Sequence, residues 1–205
     1  MEREKTIDFT YLSICKRYAR LSRCLSREVG ALILNPEGIV IGLGVNGPPR
    51  GTAHCDQLQI CQNCGRIVHP QFDHGDPSIG PHGTLSPYCH YCQGPQEGMA
   101  KVDRCPRKML GLTNLEECPA VHAEMNALLA CARTNNSTKD CTVYLYPMGP
   151  CKNCAAMMIQ AGVVGLVYPE SDPYDELSGV LLAEAGVTSK KYPREELETW
   201  ERETR

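Results

Sequence analysis

The chain has 205 residues, enough for one well-buried core and too few for two full domains. Its formal charge is −3 with acidic and basic residues interspersed, which disfavours a nucleic-acid strand or an anionic membrane as partner and favours a small substrate. No apolar run has bilayer-spanning length, and MEREKTIDFT lacks the hydrophobic stretch of a secretory signal, so a cytoplasmic protein is expected.

Residues 7–21, IDFTYLSICKRYARL, carry apolar groups at helical spacing with basic residues between them, which predicts an amphipathic first helix. VGALIL and IVIGLGV follow, rich in branched aliphatics and separated by the turn residues of NPEG, and they predict a β-hairpin. From Gly47 to about Cys118 the composition shifts to Gly, Pro, His, Cys and Gln without periodicity. A structureless loop of that length does not belong in a compact domain, so something else must order it.

The cysteines supply a candidate. Of 13 in the chain, seven (Cys55, Cys61, Cys64, Cys89, Cys92, Cys105 and Cys118) fall in this segment, as do His54, His69, His74, His82 and His90. Disulfides rarely persist in a reducing compartment, so clustered cysteines point to metal. CQNC and CHYC are two C-x-x-C knuckles, and Cys61, Cys64, Cys89 and Cys92 are expected to hold one structural zinc ion. Binding energy at such a site becomes folding energy. Cys15, Cys131 and Cys141 sit in apolar patterns and read as core residues.

Regular structure then returns. Val121, Met125, Leu128 and Leu129 make a helical stripe, CTVYLYP reads as a strand, and CAAMMIQAG as a helix ended by Gly162. VVGLVYP is another strand, ELSGVLLAEAG a helix ended by Gly186, and REELETWERETR a charged terminal helix or tail. Helical crossovers between these later strands imply parallel pairing and helices on both faces of a sheet.

Two short motifs open the helices of this region. In GPCKNCAAMM, Cys151 and Cys154 lie three apart at a helix start, so their sulfurs face one way. The helix N-terminus lowers thiol pKa, and the thiolate is the ligand form. In AVHAEMNALLA, His122 would be the third ligand, giving the three-ligand set with one open position that marks a catalytic zinc. Glu124, two residues on, can aim at the same point only at a loop-to-helix junction, which Pro119 just upstream favours. Zinc there would activate a water, with Glu124 moving its proton to a heteroaromatic ring nitrogen and then to a departing amine. Taken singly, each residue has an ordinary structural reading as a cap, a first-turn acid or a small buried hydrophobe; together they form the zinc deaminase signature.

At these residues the chain resembles the cytidine deaminase superfamily and, within it, the deoxycytidylate (dCMP) deaminases. VGALIL, GLGVNGPPRG, the His54-Cys55 pair, VHAEMNALL, TVYLYPMGPCKNCAAMMIQAGV and VVGLVYPESDPYDE occur in that family's order and spacing, and VNGPPRG followed by HC points to its nucleotide-level enzymes. The resemblance implies an α/β protein with a three-layer α/β/α cytidine deaminase-like fold, a mixed five-stranded sheet and a Cys/His-rich zinc-binding insertion. One domain over 1–205 is expected, with the inserted segment at about 50–118. It implies that His122, Cys151 and Cys154 bind the catalytic zinc, that Glu124 is the proton shuttle, and that Asn46 holds substrate near its sugar. Asn46-Gly47 is also an ordinary turn pair. Tyr174 falls in the region of an aromatic beside the bound nucleotide, with core packing as the alternative. Arg27 and Arg50 flank elements near Asn46 and are candidates for the phosphate, with a solvated surface charge as the alternative for each.

The resemblance further implies a second structural zinc on Cys24, Cys55 and Cys118, its fourth ligand His54, Cys105 or another histidine. It implies a homo-oligomer, commonly a hexamer, with dCTP and dTTP as effectors. The effector-associated Gly-Tyr-Asn-Gly pattern here reads Gly44-Val45-Asn46-Gly47, which removes one tyrosine from that control. The expected activity is hydrolysis of dCMP to dUMP and ammonia, supplying dUMP for thymidylate synthesis. A 5-modified dCMP, a tRNA adenosine and, in a different class, an inactive zinc scaffold are the alternatives.

Overall fold

In the computed structural model, which describes residues 2–68, 92, 99–109, 111, 118–171 and 175–204, the first segment forms helix α1 (Glu2–Ala19). It is followed by strands β1 (Gly30–Leu34) and β2 (Val40–Val45), a 3-10 turn (Cys55–Gln57), and short strands β3 (Gln59–Cys61), β4 (Ile67–Val68) and β5 (Met99–Lys101). Then come α2 (Pro106–Met109), α3 (Ala123–Arg133), β6 (Thr142–Tyr146), α4 (Lys152–Gln160), β7 (Gly165–Pro169), α5 (Glu176–Glu184), β8 (Thr188–Tyr192) and α6 (Arg194–Glu203). These fall into two compact units, one of Met1–Ser22, Glu28–Asn46 and Val121–Arg205, the other of Arg23–Arg27 and Gly47–Ala120.

The first unit is built on a sheet of order β2-β1-β6-β7-β8. The hairpin read from the sequence is present, β1 pairing antiparallel with β2, and β1 also pairs antiparallel with β6. The pairs β6–β7 and β7–β8 are parallel, as the helical crossovers require. Side chains alternate between two cores, as the two-residue period of a strand dictates. Leu32, Leu34, Tyr144 and Val167 face Phe9, Leu12 and Cys15 of α1 and Leu197 of α6. Ala31, Ile33, Val143, Leu145 and Leu166 face Ala127 and Cys131 of α3, Ala155 and Met158 of α4 and Leu182 of α5. Three layers result within this unit.

Differences from the sequence reading have physical causes. Helix α1 begins at Glu2, not residue 7; Glu2 and Glu4 complement the positive end of the helix dipole. β8 was not seen in the sequence pattern, because TSKKY is polar and Lys-rich, as suits a sheet edge that must not pair further. Asp8 is buried at a core-facing position of α1, where the Tyr144 and Tyr192 hydroxyls each donate to it at 2.6 Å. One carboxylate thereby ties α1 to β6 and β8. Cys15, Cys131 and Cys141 are fully buried, as expected of core residues.

The second unit contains a small antiparallel sheet of order β4-β3-β5 over a core of Ala53, Leu58 and Val102, with Leu25, Ile60, Ile67 and Met109 packed against it. No regular element was expected here, because none of these strands exceeds three residues and none shows periodicity.

Helix α3 lies against β2 with almost no space between backbones. A Cβ on Gly44 would sit 2.1 Å from the Ala123 carbonyl oxygen and 2.4 Å from the Ala127 nitrogen, and one on Gly42 would meet Cys131 Sγ at 2.5 Å. Asn126 Nδ2 donates to the Val45 carbonyl at 2.7 Å and pins the register. Gly44→Ala is therefore expected to destabilise the protein by ~1–3 kcal/mol, read as a lower urea midpoint, because backbone atoms must move to admit the methyl.

Candidate active site

His122 is the N-cap of α3 with extended backbone (φ −68°, ψ 155°), and Glu124 lies one step into the helix. That change of backbone at the junction lets two residues spaced by one converge, which a regular helix forbids. Cys151 is likewise the extended N-cap of α4, with Cys154 in its first turn. The two helix starts meet: His122 Nδ1 is 3.5 Å from Cys151 Sγ and 3.4 Å from Cys154 Sγ, and the three ligand atoms lie within 4.8 Å of one another. Zinc takes nitrogen at about 2.0 Å and sulfur at about 2.3 Å, so tetrahedral ligands of the two kinds stand about 3.5 Å apart. The donor set therefore fits a zinc ion in both chemistry and spacing.

The electrostatics follow from the packing. A hydrogen bond from Cys154, and then His122, hold the Cys151 thiol well below its ordinary range despite burial, while the Cys154 thiol is pushed far up by Cys151 and by burial. The Cys151 sulfur beside it raises His122, against the effect of burial. Glu124 is buried, and burial raises its carboxyl, offset in part by a backbone N–H and by His122. A carboxyl that holds its proton more readily than usual is suited to receive and return one.

The remaining sequence candidates are placed less closely. Asn46 is buried at the end of β2; its Oδ1 accepts from the Val29 N–H at 2.8 Å, and its carbonyl accepts from the Ser22 hydroxyl at 2.8 Å. The amide is thereby held in one orientation. Arg27 and Arg50 are exposed residues of the second unit, and Tyr174 and Cys89 lie outside the described residues. Cys61, Cys64 and Cys92 have their sulfurs within 4.8 Å of one another. Cys24, Cys55 and Cys118 do not meet that spacing. Cys24, Cys118 and Cys105 are nonetheless near enough to Cys55 that, together with burial as the larger cause, they push its thiol up to about 11. His54 Nδ1 is buried with no hydrogen-bond partner among the described residues.

Sequence reasoning missed Asp175. It caps α5 by accepting from the Leu177 N–H at 3.0 Å, and its other oxygen accepts from the Lys152 N–H at 3.2 Å. The start of α5 is thus fastened to the peptide beside Cys151. An Asp before ELSG was readable as a helix cap. Its second bond, to a residue distant in sequence, was not.

Comparison with known proteins supplies independent findings. The family profile described as the cytidine and deoxycytidylate deaminase zinc-binding region matches residues 5–170. The deoxycytidylate deaminase of Enterobacteria phage T2 is 30% identical over 169 residues, covering 82% of this chain and 80% of that protein. Its counterpart from phage T4 is 28% identical over 199 residues, 94% of each chain, and the human one 25% over 187 residues, 89% of this chain and 77% of that protein. The crystal structure of dCMP deaminase from cyanophage S-TIM5 in apo form superposes with a TM-score of 0.55 at 19% identity, covering 91% of this chain and 97% of that one, which shows a shared fold.

Protonated His122 offers no lone pair, and its proton is held above the ordinary imidazole range. Zinc must displace that proton, so affinity falls as pH drops through and below His122's raised pKa. Chelator-competition titrations at pH 8 and pH 6 are expected to show roughly tenfold or greater weakening at the lower pH, with proton release on binding.

Proposed function

This chain belongs to the cytidine and deoxycytidylate deaminase family, and on that basis we propose that it hydrolyses dCMP to dUMP and ammonia, supplying dUMP for thymidylate synthesis. The observation that carries this reading is the buried Glu124 carboxyl beside a His122–Cys151–Cys154 donor set at the meeting of two helix N-termini. Full-length similarity to proteins named deoxycytidylate deaminase selects the substrate among the family's bases. The crystal structure of the S-TIM5 enzyme in complex with dCMP and dUMP has the same fold, at a TM-score of 0.51.

His122, Cys151 and Cys154 are the zinc ligands in this reading. Zinc bound there would supply a Lewis acid and lower the pKa of a water molecule. Glu124 would take one proton from the attacking water and deliver it to N3 of the cytosine ring, then carry the proton of the new C4 hydroxyl to the amino group, which would depart as ammonia as the C4 carbonyl forms. Burial of Glu124 keeps bulk water from competing for that proton. Asn46, oriented by Val29, holds the substrate near its sugar. Tyr174, which lies outside the described residues, is assigned to base stacking on the family resemblance, and Arg27 and Arg50 to the monophosphate on their cationic chemistry alone.

The zinc of this family accounts for one site, and we propose a second, structural ion on Cys24, Cys55 and Cys118, with His54, Cys105 or another histidine as fourth ligand. The three thiols gathered around Cys55 support that assignment. A homo-oligomer, up to a hexamer, is also part of the reading. Leu129 of α3, Met157 of α4 and Leu177 and Val180 of α5 are exposed, and α5 buries only Ser178 and Leu182 although it is apolar nearly all round. dCTP and dTTP are candidate effectors on the family resemblance, against which Val45 stands where the effector-associated pattern carries tyrosine. No described helix is long and apolar enough to cross a membrane.

Incubation with dCMP, followed by ultraviolet absorbance and ammonia release, tests the reaction. A panel of 5-substituted dCMP, cytidine and tRNA adenosine should be turned over more slowly than dCMP. Glu124→Gln is expected to retain zinc and lose at least ~10²-fold in kcat. Cys151→Ser should lose both metal and turnover. Full activity in Glu124→Gln would remove the shuttle assignment.

A further inference from the structure

Among the described residues of the second unit, Ala53, Leu58 and Val102 form one buried cluster with partly buried side chains around it. Short strands over so small a cluster are commonly held by a further source of order. Between β3 and β4 the chain makes a tight turn. Cys61 N–H donates to the Arg66 carbonyl at 3.0 Å, Gly65 N–H donates to the Cys61 carbonyl at 2.8 Å, and Gly65 takes φ +71°, a conformation glycine adopts without strain. Within this turn the backbone N–H groups of Asn63 and Cys64 are directed at Cys61 Sγ, donors that stabilise a thiolate.

Across from the turn, Cys92 Sγ stands 3.6 Å from Cys61 Sγ, and Cys64 Sγ completes a group within 4.8 Å. A disulfide needs sulfurs about 2.05 Å apart. Sulfurs sharing one tetrahedral zinc at about 2.3 Å stand about 3.8 Å apart. The observed spacing matches the second case.

We infer that Cys61, Cys64 and Cys92 bind a structural zinc ion, separate from the ion at His122, that orders the β3–β4–β5 sheet. Cys89, three residues before Cys92, repeats the C-x-x-C spacing in the sequence and lies outside the described residues. An all-cysteine site is of the structural kind, so this ion is assigned no part in water activation. The inference rests on sulfur positions and not on the deamination reading.

The test uses the full chain. Zinc per chain is measured in the wild type and in Cys64→Ser and Cys92→Ser, and each variant is expected to bind about one ion fewer while His122, Cys151 and Cys154 remain loaded. Should either variant fail to fold, the wild type is titrated with chelator while amide exchange is followed. Protection over residues 59–68 and 99–101 should fall at least ~10-fold as an ion leaves, with residues 142–146 still protected. A cobalt-substituted protein should show sulfur-to-metal charge-transfer bands that Cys64→Ser diminishes. Unchanged zinc content in both variants, or unchanged exchange in 59–68 after complete metal removal, would overturn the inference. Failure of the deamination reading would look different: normal zinc content with no turnover of dCMP.

Discussion

The close approach of α3 to β2 at two glycines is the constraint on which the first unit depends. Gly42 and Gly44 face the helix, so backbone rests on backbone, and Asn126 locks the register through the Val45 carbonyl. That contact fixes where α3 begins. The beginning of α3 in turn decides that His122 stays extended while Glu124 is already helical and buried. An added methyl at Gly44 would act on the donor geometry through rigid backbone, even though glycine itself touches no ligand.

The same logic applies to α4. Its start is placed by the parallel β6–β7 crossover and held at Lys152 by the Asp175 carboxylate, which also caps α5. Two helix N-termini thereby bring their positive ends to one point, which favours negative charge on the ligands against the cost of burying them. Dipoles, ligands and acid are supplied by elements that pack for ordinary hydrophobic reasons.

Much of this was legible in the residues. His-Ala-Glu and Pro-Cys-x-x-Cys are local patterns whose geometry follows from helix starts, so the convergence of His122, Glu124, Cys151 and Cys154 could be read without coordinates. The hairpin and the helices ended by Gly162 and Gly186 were equally local, each glycine taking positive φ where its helix stops. What escaped was tertiary. Strand β8 exists because β7 offers an edge, not because TSKKY favours extension, and Asp8 is tolerated in a core because two tyrosines distant in sequence reach it. Within the second unit, three-residue strands leave too short a run for any period to emerge, although the cysteine spacing marked the place.

The strand pairing also has a bearing on how the chain is made. Strand β1 is flanked by β2, its neighbour in sequence, and by β6, which lies beyond the whole cysteine-rich unit. A ribosome delivers the hairpin early and β6 much later, so one edge of β1 stays open through that interval, exposed to the wrong partners. Such distant pairings raise contact order and slow folding. A unit that condensed around metal while still being synthesised would shorten the stretch of loose chain to be closed, and zinc supply during translation would then govern yield as well as chemistry.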